Sequence, residues 1–210
     1  TINGIFTAGS ILGRMGVLSY YFIYYVGNAE MMASVLMCYN LFTILVQFIV
    51  PFLTKRWDKK VVCLMSYALQ TISLLIVFFA GPHGIAMTYI GSILMGISNF
   101  APAVLYSING ELADREEVHT GTRSDGIMYS MLGLGTKIGI AVGGAISTAL
   151  LGVIGYIPNV TQSASTLKGL NILTNLAPIV FVALAALCVG LIDMTNKEAE
   201  KNRKILEERK

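Results

Sequence analysis

Long apolar stretches alternate along the chain with short polar or charged breaks. About 20 consecutive apolar residues form an α-helix long enough to cross the hydrocarbon layer of a bilayer. The breaks carry glycine, proline and charged residues, which are typical of loops. The pattern predicts six transmembrane helices: Ile2–Val26, Met31–Leu53, Val61–Ala80, Gly84–Ile108, Asp125–Tyr156 and Leu170–Ile192. We therefore expect an all-α membrane protein with a six-helix bundle at residues 1–193 and a charged tail at residues 194–210.

The composition supports this class of protein. Hydrophobic residues make up 55% of the chain and charged residues 13%, whereas soluble domains are about 25% charged. The net charge of +3 is small and dispersed, so we expect no nucleic-acid partner. The cysteines have no paired spacing and the two histidines are isolated. This excludes a disulfide framework and predicts no metal site and no bound cofactor.

The basic residues indicate how the helices cross the membrane. Most of the 15 lysines and arginines lie in the second break, the fourth break and the tail. By the positive-inside rule these parts are cytoplasmic, which predicts a multi-pass protein of the plasma (inner) membrane with a cytoplasmic C-terminus. Thr1 lies almost directly in an apolar stretch with no basic segment before it. We therefore interpret the chain as a fragment whose upstream part is missing.

Lys137 is the first candidate functional residue, because it lies deep within the fifth apolar stretch. About twelve helical residues, or roughly 18 Å, separate it from the start of that stretch, which places it near the bilayer midplane. Tyr129 and Gly133 share its helix face. A lysine at this depth must face the protein interior or a water-filled cavity, and it marks a functional site by default. A structural ion pair that fixes helix packing is the alternative.

Arg14 is a second cation at depth, near the middle of the first stretch. No carboxylate lies at midplane depth in the six stretches, so we expect acidic partners for both cations in the missing part. Neutral polar residues provide further hydrogen-bonding groups, which bind either a sugar or a neighbouring helix: Asn40, Gln47, Gln70, Asn99 and Thr136.

Two other patterns concern the packing of the helices. Gly135, Gly139 and Gly143 repeat at four-residue spacing, which predicts a close helix–helix contact. Pro102 and Pro178 predict kinks in their helices.

The charged segment Asn109–Ser124 follows the fourth stretch, and we interpret it as a loop. A helix start is expected after it, with Thr122 or Ser124 as the N-cap residue and Asp125 in the first turn. The charges of Asp114, Glu117 and Arg123 belong either to a solvated loop or to a network that opens and closes an inner gate.

This segment also resembles a family signature. Glu111–Arg123 is similar to the signature of the glycoside-pentoside-hexuronide:cation symporters, the melibiose-carrier family, which runs roughly Asp-x-x-Asp-Tyr-Gly-Glu-x-Lys-x-Gly-x-Arg. Asp114, Glu117, Gly121 and Arg123 match it. Four positions depart from it: Glu111 replaces Asp conservatively, Arg115-Glu116 replaces Tyr-Gly and His119 replaces Lys.

The resemblance implies a twelve-helix major-facilitator fold, of which this chain supplies helices seven to twelve, the C-terminal half. It implies import of a glycoside, pentoside or hexuronide coupled to Na⁺ or H⁺ by alternating access, with the cation site in the missing N-terminal half. Asp114, Glu117 and Arg123 would act as the cytoplasmic gate. The lysine that matches Lys137 lies near the sugar and cation sites in this family. Beside Lys137 we expect Tyr129, Gly133, Asn99 and Arg14 as substrate and coupling residues.

Two other functions remain open at this point. A carrier of lysolipids or other amphiphiles would use the same fold with an apolar cavity, and a decayed transporter would act as a membrane sensor. An enzyme is the least expected class, because the chain shows no nucleophile–base pair, metal motif or phosphate-binding loop.

Overall fold

The structure, a computed structural model, describes residues 1–209, and this part of the chain is helical without any β-strand. Two helical turns have the wider π-helical geometry, at Tyr21–Val26 and at Ile172–Leu176. The α-helices are α1 (Ile2–Tyr20), α2 (Glu30–Gln47), α3 (Val50–Arg56), α4 (Lys59–Ala80), α5 (Ile85–Ser98), α6 (Ala101–Thr120), α7 (Asp125–Val153), α8 (Ala164–Asn171), α9 (Ala177–Gly190) and α10 (Asn196–Glu208).

The all-α membrane architecture is confirmed. In residues 1–209, five helical segments are long and apolar enough to cross a membrane. They correspond to the second to sixth predicted stretches, and the sixth begins earlier than expected, at Ala164. The first stretch is also helical from Ile2 to Val26. It is less apolar than the other five, because it contains Asn3 and Arg14.

Both predicted proline kinks are present as interruptions. The fourth stretch is broken between α5 and α6, at Asn99–Phe100, and Pro102 lies in the first turn of α6. Pro178 lies in the first turn of α9, directly after a π-helical turn. Proline lacks an N–H group and is tolerated in a first turn, where the N–H has no helical partner.

The prediction of a loop at Asn109–Ser124 is wrong. Helix α6 continues through Thr120, so most of the charged signature is helical. Glu, Leu, Ala and Arg favour helix, which explains why a change from apolar to charged residues does not end it. The helix ends at Gly121, which has a left-handed φ of 72° that glycine adopts without strain. Helix α7 begins at Asp125 as expected, although the Ser124 side chain forms no capping hydrogen bond.

The helices pack in a repeated pattern. Helix α1 packs against α7 and α9, and α5 packs in the same way against α2 and α4. Helices α4 and α9 contact each other. The first three membrane stretches therefore make the same set of contacts as the last three, which is the arrangement of two structural repeats.

The glycine stripe of α7 forms a close helix–helix contact with α1, as predicted. A Cβ atom added to Gly139 would lie 2.3 Å from the carbonyl oxygen of Ile5, and one added to Gly135 would lie 2.5 Å from that of Thr1. At Gly143 the same distance, to the Gly9 carbonyl oxygen, is 2.7 Å. No side chain fits in these gaps, so only glycine lets α1 and α7 approach this closely.

The charged tail forms helix α10, and one side of this helix is packed against the bundle. Thr195 caps it by accepting a hydrogen bond from the backbone N–H of Glu198. Ala199 and Asn202 are buried, and α10 packs against α6. The tail, the α3–α4 turn and the α6–α7 turn thus lie at one end of the bundle, which we call the basic end.

Candidate functional site

Lys137 lies on the exposed side of α7. The opposite side of the helix carries the glycine stripe that packs on α1. No acidic side chain within residues 1–209 forms an ion pair with Lys137. A Cβ atom added to Gly133, one turn away, would have no neighbour within 4 Å. Lys137 and Gly133 therefore border open space rather than a packed helix contact.

Tyr129, two turns from Lys137, forms an aromatic pair with Tyr106 of α6. The two rings are stacked, with centroids 6.3 Å apart and an interplanar angle of 14°. The Tyr129 hydroxyl donates a hydrogen bond of 3.3 Å to the backbone carbonyl of Tyr106. Both side chains stay about half exposed, at 41% for Tyr129 and 51% for Tyr106. Each ring therefore keeps surface on which a flat apolar ligand face can stack.

Asn99 lies at the break between α5 and α6. Its side-chain amide donates to the hydroxyl of Tyr39 at 2.9 Å, and its backbone carbonyl accepts from the Gln47 amide at 3.2 Å. Ser66 of α4 bridges the break from the other side. Its hydroxyl accepts from the backbone N–H of Ala101 at 3.1 Å and donates to the Ser98 carbonyl. These bonds satisfy backbone groups that the interrupted helix leaves free, as membrane depth requires.

Together these side chains form a continuous feature that we call the open face. The α5–α6 break and helix α6 connect its two sides, because Asn99 at the break contacts Gln47 of α2 while Tyr106 of α6 contacts Tyr129 of α7. All of its members are exposed or half-exposed, although they belong to membrane-crossing stretches. Amides and a lysine are costly against lipid tails, so this face suits a water-filled cavity or another protein. The open face comprises Asn40, Gln47, Asn99, Tyr106, Tyr129 and Lys137.

An apolar groove lies beside the open face, between α1, α6 and α7. Its volume is about 290 Å³, and Leu12, Leu105 and Leu132 are among the residues that line it. Tyr106 lines it as well. The apolar groove and the polar open face therefore adjoin each other at Tyr106.

Arg14 does not belong to the open face. Its side chain is only 8% exposed and lies among α1, α2, α4, α5 and the sixth stretch. We expected it to line the substrate cavity, and the structure places it in the interior of the bundle instead. The residues that surround it belong to α1, α2, α4, α5 and α9, and no acidic side chain within residues 1–209 forms an ion pair with it.

The three predicted gate residues come together at the α6–α7 turn. Nη1 of Arg123 lies 2.9 Å from Oε2 of Glu117 and 3.3 Å from Oδ1 of Asp114. Arg123 also bonds Asp125 through Nε, and this bond is the main reason that the pKa of Arg123 is raised. The cluster is half-exposed, so both predicted interpretations, a solvated surface and a gate, remain compatible with its geometry. No three His, Cys, Asp or Glu side chains within residues 1–209 are grouped so that they could hold a metal ion.

A second charged cluster at the basic end was not predicted. The Lys59 ammonium donates to the Ser107 hydroxyl at 2.6 Å and forms an ion pair with Glu111. Arg115 donates to the backbone carbonyl of Asp193 at 2.9 Å and lies 3.6 Å from Glu198. The four-residue spacing of Ser107 and Glu111, which puts them on one helix face, was the only sequence signal. It was hidden because the segment was interpreted as a loop.

Comparison with known proteins gives a consistent result. A family described as "MFS/sugar transport protein" matches residues 2–196. An uncharacterised symporter of Bacillus subtilis, YjmB, is 28% identical over 90% of this chain and 41% of its own length. A glucuronide carrier protein homolog of Escherichia coli is 29% identical over 71% of this chain and 33% of its own length. An isoprimeverose transporter of Lactiplantibacillus pentosus is 27% identical over 96% of this chain and 44% of its own length. The chain spans less than half the length of these curated relatives.

Proposed function

Since this chain belongs to the MFS/sugar transport protein family, we propose that it forms the C-terminal half of a cation-coupled sugar symporter. The family consists of membrane transporters, so the chain is part of a transporter and not an enzyme. The proposed substrate is a glycoside, pentoside or hexuronide. Relatives named as a glucuronide carrier homolog and an isoprimeverose transporter support this class of substrate.

The observation that carries the proposal is the open face. Lys137 is exposed at membrane depth without an acidic partner in residues 1–209. The amides of Gln47 and Asn99 supply donors and acceptors of the kind that sugar hydroxyls need. Tyr106 and Tyr129 supply aromatic surface for the apolar side of a sugar ring. This combination fits a polyol in a wet cavity better than it fits lipid.

Coupling requires groups that this chain does not contribute. We place the carboxylates of the Na⁺ or H⁺ site on a second six-helix half, opposite Lys137. Substrate and cation would both favour the occluded state, so each would strengthen the binding of the other by the same factor. Transport would then proceed by rocking of the two halves around a site near the midplane. No resident cofactor is needed for this mechanism.

The basic end has a separate role in the proposal. By the positive-inside rule we place it on the cytoplasmic side of the plasma (inner) membrane, together with the C-terminus. The network of Asp114, Glu117 and Arg123 would then hold the inner gate and reorganise as it opens. The half-exposed side chains of this network suit ion pairs that form and break at low cost.

The direct test is uptake of labelled sugars into vesicles that contain the complete carrier, with and without a Na⁺ or H⁺ gradient. We expect gradient-driven uptake in the wild type and its loss in Lys137→Cys. The matched control is Lys168→Cys, which removes an exposed lysine near the start of the sixth stretch and should transport normally. Folded protein without sugar uptake under either gradient would contradict the proposal and favour a membrane sensor.

A second candidate, an amphiphile carrier, is favoured by one observation. The apolar groove of about 290 Å³ beside the open face can take an acyl chain. Leu12→Gln would place a polar amide in this groove at a half-buried position. An amphiphile carrier should lose transport in this variant, whereas a sugar symporter that uses the open face should keep most of its uptake.

A further inference from the structure

The end of α3 and the turn that follows it carry four basic residues, and the fold uses only two of them for its own contacts. Lys59 forms an ion pair with Glu111, and Lys60 donates to a backbone carbonyl of the sixth stretch at 3.0 Å. Lys55 and Arg56 are exposed, and no acidic side chain within residues 1–209 forms an ion pair with either. Two positive charges are therefore available to a partner outside the bundle.

The neighbours of Arg56 place its charge at the surface of the membrane. The guanidinium carbon lies 5.4 Å from the ring centroid of Trp57, and this ring is itself exposed. Tryptophan is enriched at the level of the lipid headgroups. The carboxylate of the turn, Asp58, accepts a hydrogen bond of 2.9 Å from the backbone N–H of Asn196 and so contacts the tail. Arg56 thus lies at headgroup level, in the leaflet that meets the basic end.

Exposed aromatic side chains lie on the membrane side of these cations. Phe48 and Phe52 are 72% and 71% exposed. Arg56 follows Phe52 by one helical turn, so the two residues share a helix face. The second stretch runs towards the basic end, which puts both phenyl rings deeper in the membrane than the cations. Apolar groups below and a positive charge above match the acyl chain and the phosphate of a phospholipid.

This surface faces away from the open face. Phe48 and Ile49, between α2 and α3, keep right-handed helical backbone angles, so the helical register continues through the break. At 3.6 residues per turn, Phe52 lies about 120° and Arg56 about 160° around the helix from Asn40 of the open face. A second half that covers the open face would therefore leave Phe52 and Arg56 towards the lipid.

We propose that this surface, which we call the α3 face, binds one anionic phospholipid such as phosphatidylglycerol. The α3 face comprises Phe48, Phe52, Lys55, Arg56 and Trp57. Arg56 and Lys55 bind the phosphate, since a guanidinium donates two parallel hydrogen bonds to phosphate oxygens. Phe48 and Phe52 contact the first part of an acyl chain. A zwitterionic lipid offers the same phosphate, but its ammonium group cancels the charge. This lipid site does not depend on which substrate the carrier transports.

The first experiment measures lipid binding to the complete, delipidated carrier by native mass spectrometry. Phosphatidylglycerol should bind more tightly than phosphatidylcholine. Combined Lys55→Gln and Arg56→Gln should weaken it about 25-fold, because each basic group near a lipid surface contributes about fivefold. The matched control is Lys197→Gln with Lys201→Gln, which removes two exposed charges from the tail and should change the affinity less than about twofold. An equal loss in both pairs, or no preference for phosphatidylglycerol, would overturn the proposal.

The second experiment locates the lipid. Phosphatidylglycerol with a photoreactive diazirine in its acyl chain should cross-link to Phe48 or Phe52 of the carrier in vesicles, as mapped by peptide mass spectrometry. Photoreactive phosphatidylcholine is the matched probe and should label this segment much less. Cross-links confined to other helices, which would include the case of a second half that covers α3, would contradict the proposal.

The third experiment separates a lipid from a free phosphate ion. Phe52→Ser should weaken phosphatidylglycerol binding roughly fivefold, because it removes apolar contact with the acyl chain. Inorganic phosphate should not displace the bound lipid. Displacement by phosphate, or unchanged binding in Phe52→Ser, would mean that the face recognises a phosphate group alone and not a lipid. All three readouts are independent of sugar uptake, so they decide this inference even if the proposed function fails.

Discussion

Arg14 and Lys137 are two basic residues in membrane-crossing helices, and the fold treats them in opposite ways. Arg14 is enclosed among helices of its own chain, whereas Lys137 lies on the open face. The difference comes from the helices that carry them. Helix α1 packs against α7 on one side and α9 on another. Helix α7 packs on its neighbours almost entirely through its glycine stripe, so its other side stays uncovered. A charged residue at membrane depth therefore marks a position that matters to the protein. Whether it matters for stability or for transport depends on the helix face that carries it.

The two roles make different demands. An enclosed cation needs a permanent partner, and its replacement changes the stability of the bundle. An exposed cation in a cavity is free to change partners during a transport cycle, and its replacement changes transport rather than folding. The comparison can be tested at the two residues themselves and at the contacts that create the difference.

The largest expected effect is in chemical accessibility. In a background without Cys38, Cys63 and Cys188, Lys137→Cys should react with a water-soluble maleimide roughly 100-fold faster than Arg14→Cys, since the latter requires local opening that costs ~2.7 kcal/mol. Reaction rates are followed by mass spectrometry in vesicles. Equal rates would show that both residues face the same aqueous cavity.

The next effect concerns the contact that turns one side of α7 inward. Gly139→Ala should destabilise the carrier by up to about 3 kcal/mol, because the new methyl group would lie 2.3 Å from the Ile5 carbonyl oxygen. Gly144→Ala is the control, since a Cβ atom there meets nothing within 4 Å. It should be neutral or slightly stabilising, because alanine favours helix over glycine. The Tm of each variant checks the difference, and a similar loss in both would mean that the stripe has no special role.

A smaller effect is expected at the helix break that positions Asn99. Ser66→Ala should cost about 1 to 2 kcal/mol, because it leaves the backbone N–H of Ala101 without its acceptor. It should also weaken sugar binding, since Asn99 would lose its fixed orientation. Thr71→Val on the same helix is the control, because the Thr71 hydroxyl bonds only the carbonyl of Tyr67 one turn earlier. Isothermal calorimetry measures sugar binding and Tm measures stability. Unchanged values of both for Ser66→Ala would show that Ser66 does not hold the helix break in place.

The smallest change in stability is expected at the basic end. Arg123→Gln removes ion pairs that are open to solvent and screened by salt, so its Tm should change less than that of either variant above. Asp125 raises the pKa of Arg123. Because the pKa of Arg123 is higher in the folded protein than in the unfolded chain, its ion pairs stabilise the fold fully below the unfolded-state pKa. This stabilisation is lost only as the pH rises through the higher folded-state pKa. The Tm difference should therefore stay constant between about pH 6 and 9. If the network is the gate, the variant should lose uptake despite this small change in Tm.

The sequence predicted much of the fold and less of the candidate site. The six helical stretches, the interruptions at Pro102 and Pro178 and the stripe at Gly139 were all predicted, because helix length, proline chemistry and glycine spacing act locally. The extension of α6 through the charged signature was missed, since a fall in hydropathy was taken for the end of a helix. Tyr106 and Tyr129 are 23 residues apart in sequence and lie on different helices. Their pairing depends on how α6 approaches α7, which no local sequence pattern indicates.

The amino-acid sequence by itself thus determined that this chain crosses a membrane, where its apolar helical stretches lie and to which transporter family it belongs. The tertiary structure decided which side of each helix is covered. Hydropathy and helix propensity are properties of a segment and can be read along the chain. Burial is a property of the neighbours that a side chain meets, and for Arg14 and Lys137 those neighbours come from helices far apart in the sequence.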